Sequence, residues 1–541
     1  MEDSVKNIGH LGLISGICKE LKLKERVDKI IASKSPDQKV TMGERLMALV
    51  LNGLGFSESR LYLMSEYFED KPTEELIGPG VTAKLLNDDC LGRLLDKIAE
   101  YGASEFFAEI VLPIAHEYNL LKKTVHHDST SFKLHGEYKP GLLDLTETRL
   151  GIVEICHGHS KDHRSDLKQI MLAMTTVGEE GIPIFIEPQS GNTSDKKSFS
   201  ITLKNMQKYA KKLNIDFKPI EICDSALYSK EFIQLAKKEG RKWLTRVPET
   251  SKESISYIEE LVSESDWIEL GEGYKGIEKN IIIEGVEQRW CLVNSKQAYR
   301  KELHTLERNV EKEKTAIKKV LNAVSKIKFD CQLDAQKALD LEFRKFKYHK
   351  KGATNLMIID KTPKTEMHYK ITCSFETDLE KIESKKVSLG RFILATNVDK
   401  EELKTEEILK EYKGLSSVEK GFRCLKDPWF HASTLFLKSP KRLTALTCVM
   451  SLSLFIYTFG ELKLQKYIPK LKKTILSKAG KPLKTLTMRR VFQIFKTISI
   501  ITINYKGKIL KRMKELTKIQ KEVLHIFGPF YENIYHSMVS T

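Results

Sequence analysis

The chain contains no C-x-x-C pair, although it has nine cysteines: Cys18, Cys90, Cys156, Cys223, Cys291, Cys331, Cys373, Cys424 and Cys448. Scattered and odd in number, they argue against a zinc ribbon and a disulfide framework, and they fit a reducing compartment. The opening "MEDSVKNIGHLGLISGICKE" lacks the basic-then-apolar order of an export signal, so export is not expected. Long apolar runs are also missing, with one exception. Residues 443–460, "LTALTCVMSLSLFIYTFG", carry no charge and approach the length of a membrane span. Thr444, Thr447, Ser451, Ser453 and Thr458 dilute that run, and we read it as a helix buried in an α/β domain, with no membrane contact.

Acidic residues are absent from Leu462 to Lys514, where sixteen Lys and Arg occur. The whole chain carries +17, so the remainder is close to neutral. A block of this kind is an electrostatic surface for a polyanion. A solvated Lys-rich tail would have the same charge, but "MRRVFQIFK" and "INYKGKILKRMK" interleave aromatic and apolar residues, which favours a folded nucleic-acid-binding surface.

At 541 residues the chain exceeds a single core, and its size suggests roughly three or four domains. Residues 1–118 read as helical: "ERLMALVLNGLG" and "GRLLDKIAEYGASEFFAEIVLPIAHEY" repeat apolar residues every three or four positions, with a turn at "IGPGVT". Strand-like runs follow at 123–132, 149–158, 169–177 and 182–188. Ser194 or Thr193 can cap a helix reaching about Leu213. "PIEICD" reads as a strand ending at Asp224, followed by a helix, and "KWLTRVP" as another strand. Together these predict an α/β domain with a mixed sheet over 119–248. Residues 249–404 interrupt it with hairpin-like runs and a long charged helical pair near 296–350. The domain resumes at 405–462, on a helix starting near Glu401, and a basic helical region closes the chain at 463–541.

Within "KTVHHDSTSF", Asp128 occupies mid-strand, where Asp is disfavoured. Asp224 ends another strand, the place where α/β sheets present functional groups. Glu419 lies 195 residues further on, so only a fold could bring the three together. Clustered carboxylates repel, and hard divalent cations with oxygen ligands are their natural partners. Two such ions about 3.5–4 Å apart can activate a nucleophile and stabilise a leaving oxygen in phosphoryl transfer. Singly, each acid is equally well a cap or a surface residue. Tyr412, Glu419 and Lys426 recur at seven-residue spacing on one helical stripe, and Arg423 shares their face. The plain reading is a Glu419–Arg423 surface pair. The functional one places Glu419 on metal, Arg423 and Lys426 on phosphates, and Tyr412 against a base or the backbone.

On these residues the chain resembles DDE-type insertion-sequence transposases. Their signature Y-x2-R-x3-E-x6-K reads here as Tyr412, Leu415, Glu419 and Lys426, with leucine in place of the arginine. Further likeness lies in "HHDSTSF", "GHSKDHRSDLKQIMLAM", "GNTSD", "CDSALYS", "WLTRVP" and "TMRRVFQIF". The resemblance implies an RNase H-like core interrupted by a β-rich insertion, with Asp128, Asp224 and Glu419 as catalytic metal ligands for two Mg²⁺ or Mn²⁺ ions. It implies strand cleavage at the ends of a bacterial insertion sequence, then attack by the freed 3′-hydroxyl on the opposite strand or on target DNA. The partners would be double-stranded DNA, both terminal inverted repeats and target, held by a homodimer in the cytoplasm at the nucleoid. A structure-selective nuclease without joining activity, or a non-catalytic DNA-binding remnant, are the alternatives. His126 shares the strand face of Asp128 and could touch the site, though such a residue is more often a packed core histidine. Asn192, His159 and Lys161 lie in loops that could border DNA, with ordinary turn chemistry explaining them as well. Trp243 and Trp429 read as core or hinge anchors rather than base-stacking wedges.

Overall fold

The structure, a computed structural model, describes the chain except residues 1–3, 33–38, 56–60, 139–149, 160–163, 360–367, 428–436, 468–485, 506–507 and 538–541. It divides into two compact units: Met1–Trp243 with Glu411–Thr541, and Leu244–Lys410.

In chain order the strands are β1 (Ser4–Asn7), β2 (Thr124–Leu134), β3 (Lys168–Val177), β4 (Ile182–Ser190), β5 (Ile220–Cys223), β6 (Lys242–Arg246), β7 (Ile268–Gly271), β8 (Tyr274–Ile283), β9 (Val286–Ser295), β10 (His349–Ile359), β11 (His368–Thr377), β12 (Arg391–Thr396), β13 (Ser499–Tyr505) and β14 (Lys508–Met513). The first unit contains a mixed sheet in the order β4-β3-β2-β5. Here β2 and β3, and β3 and β4, are antiparallel, while β2 and β5 run parallel. β3 and β4 are buried along nearly their whole length, which explains their almost continuous apolar sequence. Helices Met42–Gly53, Asp88–Tyr101 and Ala103–Glu117 carry the apolar periodicity of the N-terminal region. The first of these opens on a reciprocal capping box between Thr41 and Glu44.

Helix Pro440–Tyr467 is long and apolar enough to cross a membrane by composition, yet it lies in the core of this unit. Its hydroxyls return to the helix's own carbonyls: Thr444 donates to Pro440 O at 2.8 Å, Ser451 to Thr447 O at 2.8 Å, and Thr458 to Leu454 O at 2.8 Å. A buried helix can therefore hold Ser and Thr without orphaned donors.

Several expected elements differ. Among the described residues of 149–158 there is no strand, only one bridge, Cys156 to Gln169. The arm passes so close to Gly191 that a side chain at Gly158 would collide with its carbonyl. The C-terminal region is not purely helical: β13 and β14 form a hairpin, and β1, from a segment expected to be helical, pairs with β13. The helix near Glu401 begins at Thr405 and is divided into Thr405–Lys413 and Leu415–Lys426. Ser194 occupies the N-cap of helix Asp195–Lys212, but its side chain makes no capping bond.

In the second unit the order is β6-β12-β9-β8-β7, with a separate β10-β11 ribbon. Helices Lys296–Val324 and Gln332–Phe343 supply the charged pair. A small apolar cluster of Val324, Ala335, Leu339 and Ile371 packs the second of them and the end of the first against the ribbon.

Candidate active site

The pairing of β2 with β5 aligns Thr124 with Ile220, Val125 with Glu221 and His126 with Ile222. Continuing that register by two positions sets Asp224 level with Asp128, on neighbouring chains about 4.8 Å apart. Asp224 leaves the strand as the N-cap of the short 3-10 turn Ser225–Leu227, and its carboxylate accepts from Ala226 N at 3.0 Å. Asp128 accepts from Ser129 N at 2.7 Å. Buried Cys223 senses both acids: burial first, then Glu221, Asp224 and Asp128, push its thiol well above the ordinary range.

The Glu419 helix, Leu415–Lys426, lies along β2 in the same direction. At one end His126 Nε2 meets the Glu411 carbonyl at 2.8 Å, and the ring abuts Gly414. At the other, Lys426 Nζ stands 5.8 Å from the Phe132 ring centre. From Gly414 to Lys426 the helix rises about 18 Å, and β2 covers about 20 Å from His126 to Phe132. On that scale Glu419 comes level with Asp128. The face agrees as well, since His126, Asp128 and Phe132 alternate onto the side of β2 that carries this helix.

The rotation of the helix is fixed by its other flank. A Cβ on Gly181, in the β3–β4 turn, would stand 2.7 Å from Ser417 O, and one on Gly421 would stand 3.0 Å from Met174 of β3. Ser417 therefore faces the β3–β4 side. Glu419, some 200° further round, faces the β2–β5 side and is exposed. Among the described residues no three His, Cys, Asp or Glu side chains stand close enough to hold an ion together. Asp128 and Asp224 both act on Cys223, and with Glu419 they do not form a coordination cluster.

Arg423 is exposed one turn beyond Glu419, and Lys426 and Tyr412 are half-buried. Tyr412 lies on the preceding helix, so the seven-residue stripe is broken at Gly414, whose backbone stays right-handed helical. Leu415 is the first residue of the Glu419 helix. His127, on the opposite face of β2, bonds Thr175 Oγ1 at 2.8 Å, and burial pulls its pKa down to about 3. Trp243 is buried edge-on to Tyr228 and Phe232. Asn192 and His159 are exposed in loops; Lys161 and Trp429 lie outside the described residues.

One further acid bonds β2 on its other face. Asp195 accepts from Ser129 Oγ at 2.8 Å, and Ser129, next to Asp128 in sequence, alternates onto the side of the strand opposite it. The motif "GNTSD" contained it, but nothing local distinguishes it from a helix-start acid.

The first unit is thus a mixed α/β fold with Asp128 and Asp224 on adjoining chain segments and the Glu419 helix packed along β2. Residues 121–456 match the family described as "Transposase DDE domain", more than half of the chain, and the protein belongs to that family. Residues 3–112 match a domain of unknown function, DUF4277. Among solved structures, the Mos1 transposase paired-end complex with left transposon end is 14% identical, with a TM-score of 0.16, over 40% of this chain and 60% of its own. The chain thus spans less than two thirds of that neighbour. No curated protein matches.

Proposed function

We propose that the protein is the transposase of a bacterial insertion sequence, cutting DNA at the element's ends and joining them to target DNA. The observation that supports this reading is the parallel pairing of β2 with β5, whose register, continued by two residues, leads to Asp128 and Asp224. The domain organisation follows: an RNase H-like core over 119–248 and 405–462, a β-rich insertion over 249–404, an end-binding region over 1–118 and a basic segment over 463–541.

The donor set is all carboxylate oxygen, which suits Mg²⁺ or Mn²⁺, and Asp128, Asp224 and Glu419 are the residues that would hold two such ions. When bound, the ions would supply Lewis-acid stabilisation of charge on the attacking and leaving oxygens. The chain's own residues do the rest. Strand β2 and the cap at Asp224 hold two carboxylates rigidly, each restrained by a backbone N–H. Glu419 approaches from a separate element, the helix Leu415–Lys426 packed along β2. Arg423 and Lys426 take phosphates on the same flank, and Tyr412 lies against a base or the backbone. Double-stranded DNA, both terminal repeats and target, is the substrate, and a homodimer holds two ends together. The protein works in the cytoplasm, at the nucleoid.

The experiment is cleavage of a labelled duplex carrying the element's end, with Mg²⁺ or Mn²⁺, by wild type and Glu419→Gln. Cleavage by wild type and a loss of at least about 10²-fold in the variant are expected, with end binding retained. Hairpin or joined products separate a transposase from a simple nuclease. Binding without cleavage by either protein leaves a DNA-binding remnant.

A further inference from the structure

Glu411 is the residue at which the chain re-enters the first unit, and it is caught there by two side chains of β2. Thr124 Oγ1 donates to Glu411 Oε2 at 2.6 Å, and His126 Nε2 meets Glu411 O at 2.8 Å. Because that partner is a carbonyl, the ring hydrogen is on Nε2. The other nitrogen, Nδ1, is buried with no hydrogen-bond partner among the described residues. Three residues on, Gly414 breaks the helix and lies against the same ring. A Cβ there would sit well inside contact distance of Nε2 and Cε1. The backbone of Gly414 is ordinary right-handed helix, φ −57°. A Cβ would also stand 2.9 Å from Glu411 O, so the ring and that carbonyl together leave room only for a glycine.

We propose that Thr124, His126 and Gly414 form a joint that sets the register of the Glu419 helix on β2. Its effect is to bring Glu419 level with Asp128, two residues beyond His126 on the same strand face. This rests on the reading of Glu419 as a functional carboxylate. The joint makes His126 a positioning residue. It acts on the helix from one end, five residues before Glu419, while the Lys426 contact with Phe132 marks the other end.

The test uses the full chain without metal or DNA, so that it does not depend on the activity. Hydrogen exchange is followed in peptides from 415–426, with peptides from the buried helix Pro440–Tyr467 as the internal control. His126→Gln keeps an N–H donor near the Nε2 position; His126→Asn does not reach it. Exchange in 415–426 should be about 10-fold faster in His126→Asn and close to wild type in His126→Gln, with the control unchanged in both. A residue serving only as packing would respond to both or neither. Gly414→Ala should loosen the same peptides, and adding it to His126→Ala should do less than the sum of the two single changes, because the ring, the nearest contact, is gone while Glu411 O remains. Unchanged exchange in His126→Asn, or additive effects of Gly414→Ala and His126→Ala, would overturn the joint. In parallel, His126→Asn should lower end cleavage about 10-fold without weakening end binding, and His126→Gln should restore it. If wild type cleaves nothing, the proposed function fails, while the exchange result still judges the joint.

Discussion

Asp128 and Glu187 are both carboxylates on strands of the same sheet, and their surroundings set them to opposite uses. Asp128 is half-buried, faces the Glu419 helix and has Asp224 beside it, so its charge can be met by a cation. Glu187 is buried, and its carboxylate accepts from Asn205 Nδ2 at 2.8 Å. Burial pushes its pKa up from 4.5 to about 7, against the weaker downward pull of Asn205, Ser104 and Lys208. Between those two values the folded chain retains a proton that the unfolded chain releases. Stability from this group is therefore present below about pH 4.5, falls as pH rises toward 7 and is level above it. Glu187→Gln, which keeps an acceptor for Asn205 but cannot ionise, should match wild type in thermal unfolding at pH 4.5. At pH 8 it should be more stable by up to about 3 kcal/mol. Equal differences at the two pH values would mean that Glu187 is ionised in the folded chain throughout.

At the scale of elements, the Glu419 helix is seated by glycines on both sides, Gly414 at its start and Gly181 under Ser417. Gly181 also needs its left-handed backbone, φ +67°, as does Gly178 at the other end of the same turn, φ +73°. Alanine at either position should cost about 1–2 kcal/mol in backbone strain. Only at Gly181 does the new methyl also press on the helix, at Ser417 O. Both variants should melt a few degrees lower, but Gly181→Ala alone should lose end cleavage beyond what its stability explains. Equal cleavage by the two at a temperature where both are folded would detach the turn from the site. The sequence revealed β2, β3, β4 and the strand end at Asp224, because burial writes apolar runs that local turns then punctuate. The crowding at Gly414 was hidden, since the histidine ring that lies against it is 288 residues away in sequence. The partner of β1 lies nearly 500 residues away, and four residues carry too little pattern to announce a strand. β10 was missed because its "HKK" start continued a charged helical stretch, while the β13–β14 hairpin was mistaken for helix despite its alternating residues.

At the scale of the whole molecule, the basic block is less free than its +16 suggests. Lys463 pairs with Glu20, Lys511 with Glu75 and Arg489 with Asp427. These cations are already met within the first unit, and part of the block, 468–485, lies outside the described residues. Lys496, Arg512 and Lys514 are exposed on the same stretch. If this stretch holds DNA by its phosphates, affinity falls with salt in proportion to the contacts made. Replacing Lys496, Arg512 and Lys514 together with glutamine should then flatten the dependence of log binding constant on log salt by about one for each contact removed. The loss should be the same for end and unrelated duplexes, because phosphates carry no sequence. Lys511→Gln should leave the slope alone and lower stability by at most about 1 kcal/mol, the usual value of a surface ion pair. The reverse pattern, a slope changed by Lys511→Gln and not by the triple variant, would move the DNA path away from the exposed residues and onto the paired ones. It would also mean that binding must first break an ion pair within the protein.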